Sequence, residues 1–107
     1  MKILNGSELE KYANENNIVL IDFYASWCGP CVMQSKILEE YDKVKPNCVA
    51  IAKINVDEEM DLAEKYEIIA VPTLCVFKEG KLVYRHEGYM DLNELKAKVE
   101  LYVTKMT

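Results

Sequence analysis

Cys28 and Cys31 enclose the dipeptide Gly29-Pro30, follow Trp27, and come directly after an apolar run from Ile18 to Ala25. A strand that feeds a helix through such a corner sets the first sulfur at the helix N-terminus. Unpaired backbone N–H groups and the helix dipole favour a thiolate there. The thiolate is the species that attacks disulfides, so the corner is a candidate dithiol redox centre. The competing reading is half of a structural zinc site, which needs four ligands and usually draws them from a second closely spaced pair. Cys48, Cys75 and His86 are scattered along the chain and supply no such pair.

Asp22 is the second residue whose type does not match its place. It interrupts the apolar run, and an unpaired buried carboxylate is costly, so burial is expected to push its pKa toward neutrality. Two readings stand: a polar residue tolerated at a wet strand edge, or a proton acceptor and donor for the dithiol couple. Lys53, within Ile51-Ala52-Lys53-Ile54, is equally out of place and is the candidate partner. Its ammonium would pull the Asp22 pKa down again, so the two effects oppose each other. Cys48 and Cys75 read as small apolar core residues, with a regulatory thiol pair as the alternative. His86 reads as an exposed strand-end histidine. Asp57, Glu58, Glu59 and Asp61 read as a solvated helix start matched to the dipole.

The elements that must position these groups follow from periodicity and punctuation. Ser7-x-x-Glu10 predicts a capping box opening a helix to about Asn16, with Leu9, Tyr12 and Ala13 inward. The run from Ile18 to Ala25 is apolar on both faces, as a central parallel strand is. Pro30 suits the first turn of the next helix, which should reach Val44 with Met33, Ile37, Leu38, Tyr41 and Val44 inward, and stop before Pro46. A strand over 49–56 and a short acidic helix over 58–67 come next. Thr73 to Lys78 and Lys81 to His86 flank Glu79-Gly80 as a hairpin. Asp91-x-x-Glu94 predicts the cap of a last helix with Leu92, Leu95, Val99 and Tyr102 along one stripe. The order βαβαββα, preceded by a short edge strand and the first helix, predicts an α/β fold: one mixed sheet with helices on both faces. Cys28 then lies beyond the carboxyl end of a parallel strand, where ligands of open α/β sheets bind.

At 107 residues the chain is expected to be a single domain, 1–107, with a core that needs no disulfide staples. Its net charge of −5 argues against nucleic acid and anionic membrane surfaces as partners. No run approaches the roughly 18 apolar residues of a membrane span. The first residues show no apolar h-region, so a cytoplasmic location is expected, where thiols stay reduced and a Cys-x-x-Cys is catalytic more often than structural.

The segment Asp22-Phe23-Tyr24-Ala25-Ser26-Trp27-Cys28-Gly29-Pro30-Cys31, Lys53 ahead of Ile54-Asn55-Val56-Asp57, Val71-Pro72-Thr73, Phe77-Lys78-Glu79-Gly80 and Gly88 resemble the thioredoxin family, in its order and over essentially the whole chain. The resemblance implies a thioredoxin fold and a thiol–disulfide oxidoreductase working mainly as a protein disulfide reductase. It implies that Cys28 is the exposed nucleophile and Cys31 the buried resolving thiol. Asp22, paired with Lys53, would assist proton transfer. Pro72 would be cis, and the backbone of Val71 would pair with the client. Trp27, Val56, Ala70 and the Gly88 loop, with Gly29 and Pro30 of the motif itself, would form the docking surface. No organic cofactor or metal is implied. The implied partners are disulfide-containing client proteins and a thioredoxin reductase that recharges the dithiol, with the protein acting as a monomer. The Gly-Pro dipeptide is the one thioredoxins carry at about −270 mV, against about −120 mV for the strongest oxidants of this fold. The chain departs from the family at Lys36, where a proline is usual, at Tyr24, where tryptophan is common, and in its extra thiols. An oxidase or isomerase of the same fold and a non-catalytic partner clamp built around Trp27 are the rival functions.

Overall fold

A computed structural model of the protein describes residues 1–104, so the last three residues of the expected domain lie outside the described ones. The chain runs β1 (Lys2–Ile3), α1 (Leu9–Glu15), β2 (Ile18–Tyr24), α2 (Gly29–Val44), β3 (Val49–Asn55), α3 (Met60–Lys65), β4 (Thr73–Lys78), β5 (Lys81–Glu87) and α4 (Leu92–Thr104). The sheet order is β1-β3-β2-β4-β5. β2 is central, parallel to β3 and antiparallel to β4, and β5 returns antiparallel along β4.

Alternation along β2 explains why that strand is apolar throughout. Val19, Ile21 and Phe23 face a core closed by Leu9, Ala13 and Leu62 of α1 and α3. Ile18 and Leu20 face a second core closed by Leu38 and Tyr41 of α2 and Leu95 and Val99 of α4. Helices therefore cover both faces, as expected. Each large side chain fully buried in these cores contributes roughly 1.5–3 kcal/mol. By the same alternation Asp22 belongs to the α2 face, the face that carries the cysteines.

Several local expectations are corrected. Ser7 does not cap α1: its hydroxyl donates to Asn5 Oδ1 at 2.7 Å, and the helix begins only at Leu9. Acidic α3 is shorter than 58–67, because the N–H groups of Glu58 and Glu59 turn back to the Asn55 carbonyl at 3.2 and 3.0 Å. On α2 the inward stripe is Cys31, Gln34, Leu38 and Tyr41, while Met33 and Val44 are exposed. Lys36 is exposed within a helix that runs unbroken from Gly29 to Val44, so the family's proline is not needed for this element. His86 is half-buried inside β5, opposite Leu74, rather than exposed at a strand end. The hairpin forms as expected, with Glu79 (φ 52°) and Gly80 (φ 84°) both left-handed, the pairing a two-residue turn requires. Asp91 does cap α4, accepting the Glu94 N–H at 2.9 Å.

Candidate active site

The strand-to-helix corner is built from β2 outward. Tyr24 ends the strand, residues 25–28 turn, and Cys28 is the N-cap of α2, with Pro30 in the first helical turn, where its missing N–H costs nothing. Cys28 and Cys31 are joined as a disulfide with their Cα atoms 5.2 Å apart. The Cys31 backbone N–H donates to Cys28 Sγ at 3.2 Å, a bond that would favour a thiolate on Cys28 once the disulfide opens. Cys28 Sγ also lies 3.6 Å from the Val71 carbonyl oxygen. Cys28 is not the exposed member expected: it is 5% exposed against 3% for Cys31. Ala25, Tyr24, Val56 and Val71 pack around the pair.

Asp22 is fully buried, and neither of its oxygens has a hydrogen-bond partner among the described residues. Desolvation raises its pKa to about 7, and the Lys53 charge acts in the opposite direction without winning. The question left open by the sequence is thereby answered in favour of burial, and the wet strand edge is excluded. Lys53 stands opposite Asp22 in the β2–β3 register but makes no direct pair with it. Its ammonium donates to Ser35 Oγ at 2.9 Å and lies 4.4 Å from the centre of the Tyr24 ring. A cavity of about 200 Å³ lined by Tyr24, Cys31, Ser35 and Lys53, among others, opens beside this cluster.

Of the residues expected at the docking surface, Val56 and Val71 pack against the cysteines. The Val71-Pro72 bond is cis. Pro72 is buried and its carbonyl accepts the Gly88 N–H at 2.8 Å, which ties the Gly88 loop to the segment carrying Val71. Gly88 has φ 98°, a conformation that favours glycine. Ala70 is exposed, and its carbonyl accepts the Thr73 hydroxyl at 2.7 Å. Trp27 is 72% exposed, yet its indole N–H donates to the Asp57 carboxylate at 2.8 Å. Glu59 accepts the Gly6 N–H at 2.6 Å, so two acids of the cluster are engaged rather than merely solvated. Val56 is half-buried against the cysteines, and Gly29 and Pro30 are exposed.

Sequence reasoning missed three contributors. Gln34 is fully buried and bonds to both backbone groups of Met90. Ser35 holds Lys53. Arg85 donates to the carbonyls of Tyr66 and Glu67. A stripe counted from Cys31 instead of Met33 would have turned Gln34 inward; the other two carry no local signal. No group of three His, Cys, Asp or Glu side chains suited to a metal ion occurs among the described residues.

A Cys-x-x-Cys disulfide at a helix N-terminus, beyond the carboxyl end of a central strand in a mixed α/β sheet, defines the class: a thiol–disulfide oxidoreductase. The family model described as Thioredoxin matches residues 1–101. The chain is 42% identical over 87 residues to Thioredoxin Y2, chloroplastic, of Arabidopsis thaliana, covering 81% of this chain and 52% of that longer protein. It is 37% identical over 94 residues to the thioredoxin of Mycoplasmoides gallisepticum, covering 88% of this chain and 93% of that one. Among solved structures, a mutant thioredoxin from Halobacterium salinarum superposes with a TM-score of 0.87 at 39% identity, covering 94% of this chain and 88% of the other. The protein belongs to the thioredoxin family of protein disulfide reductases.

Proposed function

We propose that the protein, working as a monomeric single domain over residues 1–107, reduces client disulfides through Cys28. The Cys28 thiolate attacks one client sulfur, forms a mixed disulfide and releases the other client sulfur as a thiolate. Cys31 then gives its proton to Asp22 and attacks Cys28 Sγ. The client leaves with its second thiol, and the two electrons lost by Cys28 and Cys31 have opened the client bond. Asp22 is the acceptor because it is buried on the cysteine face with a pKa of about 7, near the pH at which it must both take and return a proton. Lys53 modulates it from the neighbouring strand.

The client backbone lies against Val71 and Pro72, and its side chains meet Trp27, Gly29, Pro30, Val56, Ala70 and Gly88. The net charge of −5 disfavours nucleic acid as a partner. A thioredoxin reductase returns the electrons. The cytoplasm is the proposed location, because a dithiol reductant works where thiols are kept reduced. No described helix is long and apolar enough to cross a membrane.

The observation that carries this reading is the Cys31 N–H donated to Cys28 Sγ at the helix N-cap, which makes the two thiols unequal. Cys28→Ser should abolish client reduction, whereas Cys31→Ser should accumulate a Cys28-linked mixed disulfide visible by mass spectrometry. Trapping by the Cys28 variant, and not by the Cys31 variant, would reverse the assignment.

A further inference from the structure

A serine in mid-helix usually faces solvent or bonds back to the carbonyl one turn earlier. Ser35, half-buried on α2, instead has its Oγ turned to the Lys53 ammonium, which donates to it at 2.9 Å. It lies four residues beyond Cys31, so the two share one side of the helix. Asp22 and Lys53 are partners in the β2–β3 register, and register partners point to the same face of the sheet. That face is the one α2 covers. Strand and helix thus offer Lys53 two acceptors, the Asp22 carboxylate and the Ser35 hydroxyl. A pair with both members ionised is the stronger bond. Yet the ammonium sits at Ser35 and 4.4 Å from the centre of the Tyr24 ring, and both Asp22 oxygens are left without a partner among the described residues. A cavity of about 200 Å³ lined by Tyr24, Cys31, Ser35 and Lys53, among others, gives the ammonium room to move without repacking the core. The other neighbours of Asp22 do not compete for it. Leu74 of β4 stands opposite, Cys31 of α2 is held in the disulfide, and Lys53 supplies the charge that acts on the carboxyl. Tyr24 is acted on by the Glu58 and Asp22 carboxylates and bonds to Asn55.

We propose that Ser35 is a positioning residue for the disulfide-exchange reaction: its hydroxyl holds Lys53 off Asp22 and so leaves the carboxylate free to take the Cys31 proton when the mixed disulfide is resolved. The inference rests on the disulfide-reductase reading and adds a residue to it. Without the hydroxyl the ammonium is released toward Asp22, and a closer opposite charge favours the ionised carboxyl. In Ser35→Ala the Asp22 titration, followed by NMR of the isotope-labelled carboxyl carbon in the oxidised protein, should therefore move to lower pH by about one pH unit. The pH midpoint of client reduction should move the same way, opposite to the alkaline shift expected of Lys53→Met. In a Lys53→Met background, Ser35→Ala should move neither. Alanine is the best helix former, so the substitution does not put α2 at risk. An unshifted titration in Ser35→Ala, or the same shift without Lys53, overturns the role of Ser35 and leaves the reductase reading standing. A titration that moves while client reduction keeps its midpoint takes Asp22, and Ser35 with it, out of the proton path. A parent that reduces no client disulfide overturns the reductase reading itself.

Discussion

Asp22 and Lys53 face each other across the β2–β3 ladder, yet the ammonium turns away to Ser35 Oγ and the Tyr24 ring, and the carboxylate is left without a hydrogen-bond partner among the described residues. The arrangement leaves a charge-bearing group in the core at neutral pH with only remote compensation. Tyr24 is part of the reason: an ammonium over an aromatic face gains about 0.5–2 kcal/mol, which competes with the approach to Asp22.

Asp22→Asn should therefore be more stable than the parent at and above neutral pH. Burial raises the Asp22 pKa from 3.8 to about 7, so between these values the folded state binds more protons than the unfolded chain. Stability then falls as pH rises through that window and levels off above it. The shift corresponds to at most about 4 kcal/mol, so the gain in the variant should be largest near pH 8 and vanish near pH 4. Turnover should slow near neutrality, where the proton acceptor is missing. Denaturation at pH 4, 6 and 8 beside turnover assays decides it; a destabilised, fully active variant would make Asp22 purely structural.

Lys53→Met should move the Asp22 titration the other way. The Lys53 charge lowers the Asp22 pKa, and its removal leaves desolvation unopposed. The pH midpoint of client reduction should shift to more alkaline values, with the Asp22→Asn background showing no such shift. An identical shift in that background would assign the effect to Lys53 itself.

Which of these features the sequence revealed depended on how local their causes are. The redox corner was legible because Trp27 to Cys31 and the preceding strand form one continuous segment. The hairpin and the α4 cap were legible because Glu79-Gly80 and Asp91 act on their immediate neighbours. Asp22 was legible as an anomaly, but the outcome of burial against Lys53 depends on where the ammonium goes, and Ser35 lies on another element. Gln34 and Arg85 make their bonds to residues 56 and 18–19 positions away. Nothing near them in the chain announces those partners. Met33 misled because an exposed methionine and a core methionine can have the same helical spacing.

The two extra thiols should differ in reactivity and never bridge. Cys75 is fully buried among residues of the α1/α3 core, and burial pushes its pKa to about 11. Cys48 is half-buried against the α2/α4 core, on the other side of the sheet. With Cys28 and Cys31 oxidised, an alkylating reagent should label Cys48 slowly in the native protein and Cys75 only after denaturation, because the thiolate is the reactive form. Equal native labelling of both, or a Cys48–Cys75 disulfide in peptide maps, would defeat this reading.

Arg85 should prove to be the main restraint on the segment that leads into Val71-Pro72. Its guanidinium donates to the carbonyls of Tyr66 and Glu67, directly beyond the end of α3. Glu67 has φ 53°, a left-handed conformation that costs a non-glycine residue about 1–2 kcal/mol and persists only when neighbours enforce it. The nearby Glu87 carboxylate, 3.9 Å from the guanidinium and largely exposed, adds little. Arg85→Met keeps the aliphatic stem and removes both donors, so it should cost about 1–2 kcal/mol in denaturant unfolding. Amide exchange should quicken across 66–71 and stay near parental values in β2 and α2. Glu67→Gly in the same background should recover part of the loss, since glycine adopts this φ freely. Parental stability in Arg85→Met, or faster exchange spread evenly over the sheet, would show that the end of α3 holds its course without the guanidinium.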